Sequence, residues 1–105
     1  MALTRSFKDT VKARADHDAA FRDALLVEGM DALLAGEVDT GRAILRDYIN
    51  ATIGFEALAK DTGTPAKSLM RMFGPDGNPN ASNLFAVIEQ LQRSAGIELH
   101  TQVTR

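Results

Sequence analysis

Apolar residues recur along most of this chain at intervals of three and four, the spacing of helices rather than strands. Phe7, Val11 and Ala15 make the first such face, with Thr4 or Ser6 as the expected cap. Asp16 or Asp18 opens a longer helix whose apolar positions are Phe21, Leu25, Leu26, Met30, Leu33 and Leu34, with Gly36 as its stop. Asp39 or Thr40 is placed to cap a third helix carrying Ile44, Leu45, Tyr48, Ile49 and Thr52 as a stripe. Gly54 interrupts, and a short helix is expected over 55–62. After Gly63, Thr64 and Pro65 read as an N-cap hydroxyl and a first-turn proline, opening a helix to about Phe73. Gly74-Pro75-Asp76-Gly77-Asn78-Pro79 is a turn segment. Asn80 or Ser82 then caps a last helix, with Leu84, Val87, Ile88 and Leu91 on one face and Gly96 at its end. The tail alternates Ile97, Leu99, Thr101 and Val103 with polar residues, which predicts a short strand. A lone strand needs a partner, and the same tail of a second copy would supply it.

The segment 55–73 holds the candidate chemistry. Two short helices that cross steeply need a small residue at their approach and a residue tolerant of positive φ between them. Ala59 and Gly63 answer those needs, and Leu58, Leu69 and Met72 supply the inner apolar contacts. The spacing from Ala59 to Gly63 to Leu69 is that of a helix-turn-helix. The second helix then turns Pro65, Ala66, Lys67, Met70 and Arg71 outward, with Ser68 beside them. Lys67 and Arg71, one turn apart, suit phosphate oxygens or guanine O6 and N7, and Ala66 and Met70 suit a thymine methyl. Base reading is expected of Ala66, Lys67 and Arg71. Backbone positioning is expected of Thr64, Ser68, Asn78, Asn80 and Ser82. Two helices joined by a glycine turn also occur in bundles that never meet DNA, so spacing leaves both readings open.

With 105 residues there is room for one domain with one core. The net charge of −2 gives no general attraction to nucleic acid, so the DNA reading stands on local pattern. The acidic excess lies in the first 50 residues, with nine Asp or Glu against seven Lys or Arg; the rest carries five of each. The absence of cysteine rules out disulfides and thiolate chemistry and fits a reducing cytoplasm. The opening residues have no apolar signal core, and no apolar run is long enough to span a bilayer.

From Ala43 to Leu99 the chain resembles the lambda-repressor-like (Xre-type) regulators, and within them the antidote proteins of bacterial addiction modules. The resemblance is carried by Leu58-Ala59, Gly63, Lys67-Ser68-Leu69-Met70-Arg71, and Gly77-Asn78-Pro79-Asn80 followed by Leu84, Ile88 and Leu91. It implies an all-α, lambda-repressor-like helical bundle, with 1–42 as a helical extension, 43–96 as the helix-turn-helix core and 97–105 as the tail. It also implies a homodimeric repressor of its own operon, bound to double-stranded operator DNA, with a toxin protein as a further partner. Thr62 and Thr64 stand where the pattern prefers larger apolar residues.

Other chemistry is not expected. His17 and His100 have no second ligand at helical spacing, Asp16 and Asp18 read as capping residues, and no serine sits in a nucleophile setting. Neither an enzyme nor a cofactor is anticipated. The apolar residues of 21–34 cover more than one helix face, which predicts burial against a second copy or, failing that, a groove for a partner protein.

Overall fold

A computed structural model describes residues 7–105, so the Thr4 or Ser6 cap lies outside the described residues. The regular elements of the described residues are all helices: α1 (Phe7–His17), α2 (Ala19–Leu34), α3 (Val38–Ala51), α4 (Phe55–Thr62), α5 (Ala66–Met72) and α6 (Ala81–Ala95). None of the described helices is long and apolar enough to cross a membrane.

Local capping chemistry explains most of these boundaries. The Asp18 carboxylate accepts the Phe21 N–H at 3.0 Å and starts α2. Asn80 does the same for α6 through the Asn83 N–H at 2.8 Å. Gly36, Gly63 and Gly96 all take positive φ just past a helix end. The start of α3 differs from expectation. Neither Asp39 nor Thr40 caps it; the cap is Glu37, with no side-chain bond, because Asp39 falls in the first turn and pairs with Arg42 instead.

Helices α2 and α3 pack backbone to backbone. A methyl group at Gly29 would stand 3.0 Å from a Leu45 methyl, and one at Gly41 would stand 2.7 Å from a Leu33 methyl and 3.0 Å from the Gly29 carbonyl oxygen. Two glycines facing each other thus bring α3 close enough for Leu26 and Leu45 to be fully buried. The main core joins them to Tyr48, Ile49, Phe55, Leu58, Leu69, Phe73, Val87 and Leu91, so that α2 to α6 share one interior. Val11, Ala15 and Ala51 form a small satellite that seats α1.

Tyr48 is buried in that interior, and burial pushes its phenol above the ordinary value of 10.0, with the charge of Asp23 adding to the shift. Unfolded tyrosine ionises at the ordinary value, so this contribution to stability is intact below about pH 10 and is lost as pH rises through the raised folded value. Tyr48→Phe should therefore flatten the alkaline fall in stability. Urea unfolding of both proteins at neutral pH and above pH 10 checks this. Equal losses in the two proteins would remove Tyr48 as the cause.

The tail corrects the sequence reading. No strand forms among the described residues. Ile97 and Leu99 fold back onto the core, the Leu99 N–H donates to the Gln92 side-chain oxygen at 2.8 Å, and Val103 is exposed. With no second strand among the described residues to pair with, the tail takes its hydrogen bond from α6.

Candidate nucleic-acid interface

Helix α4 is held at its start by Phe55, whose buried ring lies 6.4 Å from that of Phe73 at 52°, so the beginning of α4 and the end of α5 share one aromatic contact. Leu58 faces the core and Ala59 packs against it. Gly63 then turns the chain with φ 75°, its N–H donating to the Ala59 carbonyl at 2.9 Å. This conformation is open to glycine at little cost, and it lets α5 leave in a new direction after only two more residues.

The opening of α5 is shifted from expectation by one residue. Pro65, at φ −57° and ψ 143°, is the N-cap, and Ala66 is the first helical residue. Thr64 therefore does not cap; its N–H donates to the Thr62 hydroxyl at 3.3 Å. Proline fits either place because it has no N–H to lose, and the extended ψ at Pro65 decides between them.

Inside α5, Leu69 is fully buried, and Phe73 just beyond is nearly so. Met72 packs against the same core. The opposite side carries Lys67, Met70 and Arg71, all exposed, with Pro65 exposed beside them and Ala66 and Ser68 half-buried. Among the described residues, Lys67 and Arg71 take part in no ion pair.

A groove of about 370 Å³ runs between α5 and the start of α6. It brings together Thr64, Ser68, Arg71 and Asn78 of the expected site, with Asn83 and Asp76, which sequence reasoning missed. Lys67, Met70, Ala66 and Pro65 do not line it and lie along the outer ridge of α5; Ser82 is exposed outside it. Asn80 spends its side-chain oxygen on the α6 cap. Asn83 carried a readable signal, since it lies one turn after the Asn80 cap.

Two further residues were missed. Arg42 is only 6% exposed, and its guanidinium donates to the carbonyls of Met72 at 3.3 Å and Gly74 at 2.9 Å and to the Asp39 carboxylate at 2.6 Å. Arg46, one turn on, donates to the Phe73 carbonyl at 3.4 Å. Both thus serve the carboxyl end of α5, where a helix leaves carbonyls unpaired and partly negative. Arg42 stands three residues before Leu45 and seven before Ile49, on the buried stripe of α3, and that register was the available clue.

The turn that follows α5 is packed tightly. Gly77 donates its N–H to the Gly74 carbonyl at 3.1 Å, and its α-carbon lies against the last carbonyls of α5. Among the described residues no three potential metal ligands converge. Comparison with known protein families, with curated proteins and with solved structures gives no match to this chain.

Proposed function

We propose that this chain binds double-stranded DNA through α5, with α4 and α5 acting as a helix-turn-helix of the lambda-repressor-like kind. The observation that carries the reading is α5 itself. It is fastened to the core by Leu69 and flanked by Phe73, while Lys67, Met70 and Arg71 project outward with neither cation in an ion pair among the described residues. Such a helix offers a major groove two donors for guanine or phosphate and one apolar contact. The groove beside it carries Thr64, Ser68, Arg71 and Asn78, whose donors suit the adjoining phosphate backbone, together with the acidic Asp76 and the apolar Leu69 and Val87.

The proposed working unit is a homodimer that represses transcription from a two-fold operator. Support comes from α2 and α6, where Val27, Leu34 and Phe85 are exposed around a groove of about 600 Å³ that Met30, Ile88 and Leu99 also line. A second copy is the proposed cover. The same surface favours one second reading, in which it holds a toxin protein and the chain serves as an antidote.

Selection of duplexes from a random-sequence pool, with the purified full chain at low salt, tests the reading. Enrichment of an inverted repeat with half-sites about 10 base pairs, or ~34 Å, apart is the expected result. Affinity for the selected duplex should fall steeply with salt as counterions are released. A pool that stays random through successive rounds overturns the DNA reading.

A further inference from the structure

We infer that Arg42 is the positioning residue for α5, joining α3 to the far end of that helix and setting the angle at which Lys67 and Arg71 are presented. The inference rests on the DNA reading above and assigns the control of that surface to a residue that never touches it.

A helix of seven residues is far below the length at which helices hold themselves together in water, about 12–15 residues. The direction of α5 therefore depends on its attachments. At its beginning lie the Gly63 turn and Pro65, and in its middle Leu69 enters the core. At its end the carbonyls of residues 72, 73 and 74 are all taken by α3, two by Arg42 and one by Arg46. Without Arg42, the link from α3 to the end of α5 would be reduced to one longer bond from Arg46, beside the packing of Met72 and Phe73 and the helix's own closing amides.

The chemistry of Arg42 is that of a fixed bracket. A buried guanidinium is tolerated only where its donors meet acceptors, and one terminal nitrogen meets two carbonyls while the other meets the Asp39 carboxylate. Asp39 is itself almost fully exposed, so the pair is buried on the arginine side alone. The Nε–H has no acceptor. The side chain thus leaves one donor unpaired while one terminal nitrogen holds the helix end and the other is anchored by Asp39 on α3. Lysine, a point charge without the planar fork, reproduces only part of this arrangement.

The test uses the full-length chain as wild type, Arg42→Met, Arg42→Lys and Arg46→Ala. Each is titrated by fluorescence anisotropy against a duplex selected by the wild type and against an unselected duplex of equal length. Arg42→Met should lose about tenfold in affinity for the selected duplex, the scale of one misplaced base contact from Lys67 or Arg71. Affinity for the unselected duplex, set by phosphate contacts that remain, should stay within about twofold. Arg42→Lys should recover part of the ratio and Arg46→Ala should lower it less. Hydrogen exchange should quicken at the Phe73 and Gly74 amides, which close the end of α5, and stay unchanged in α6.

A purely structural role would lower both affinities by one factor, through the folded fraction, and leave their ratio constant. A folded Arg42→Met with the wild-type ratio overturns the inference and leaves the DNA reading standing. A wild type that prefers no duplex overturns both.

Discussion

Replacing Gly77 with alanine should cost about 2–3 kcal/mol of stability, the upper part of the ~1–3 kcal/mol range for forcing extra atoms into a packed site, because the atoms it meets are backbone. The added methyl would stand 2.5 Å from the Met72 carbonyl oxygen and would overlap that of Arg71. Both obstacles are backbone atoms in the last turn of α5, so no rotamer change relieves the clash. Gly77 is not among the glycines of positive φ, and the demand here is for space rather than for an unusual conformation. Either the 74–79 turn lifts away or the end of α5 unwinds. Both movements disturb the Met72 and Gly74 carbonyls that Arg42 holds. The midpoint of thermal unfolding should fall by roughly 10–20 °C for a domain of this size. Asn78→Ala, next in sequence but exposed, is the control and should stay within about 0.5 kcal/mol. A Gly77→Ala protein that melts with the wild type would show that the turn has room the geometry denies.

Gly77 also marks the border between what local rules reveal in this sequence and what they do not. Asp18, Asn80, Gly36, Gly63 and Gly96 were legible because a cap acts on atoms within a few residues of itself. The outward set on α5 was legible because Leu69 and Met72 fix which side of so short a helix faces the core. Where two local rules compete, the outcome slipped: Thr64 and Pro65 were both good openings for α5, and Asp39 was drawn from capping α3 to pairing with Arg42. The tail was misread because alternation signals a strand only where a partner strand exists, and here the Gln92 side chain takes the Leu99 amide. Arg42, and the close approach of Gly29 to Gly41, depend on segments that meet only after folding. An arginine on a buried stripe is a visible anomaly, but its acceptors lie 30 and 32 residues away. The 74–79 turn was legible from its glycine, proline and asparagine residues, but the need for a missing Cβ at Gly77 appears only when the turn folds against the end of α5.

Lys67→Ala and Arg71→Ala should each weaken binding to a selected duplex by about 10- to 100-fold, if each contacts a base pair in the groove, since a good bidentate contact discriminates by ~1–3 kcal/mol. Neither change should unfold the protein. Both side chains are exposed and outside any ion pair among the described residues, so each variant should remain within about 0.5 kcal/mol of wild-type stability. The two positions differ in surroundings, which predicts a difference in kind. Arg71 lines the groove shared with Ser68, Asn78 and Asn83, whereas Lys67 stands on the outer ridge of α5. A residue that reads a base relaxes the sequence preference when removed, while one that meets phosphate weakens all duplexes alike and lowers the salt slope by about one. Titrating each variant against the selected duplex, single-position variants of it and a random duplex, at several salt concentrations, separates the two roles. The double variant should lose close to the product of the two single effects if the contacts are independent, and a departure from the product measures the coupling between these neighbouring cations. Wild-type affinity in both single variants would mean that α5 is not the surface that meets DNA.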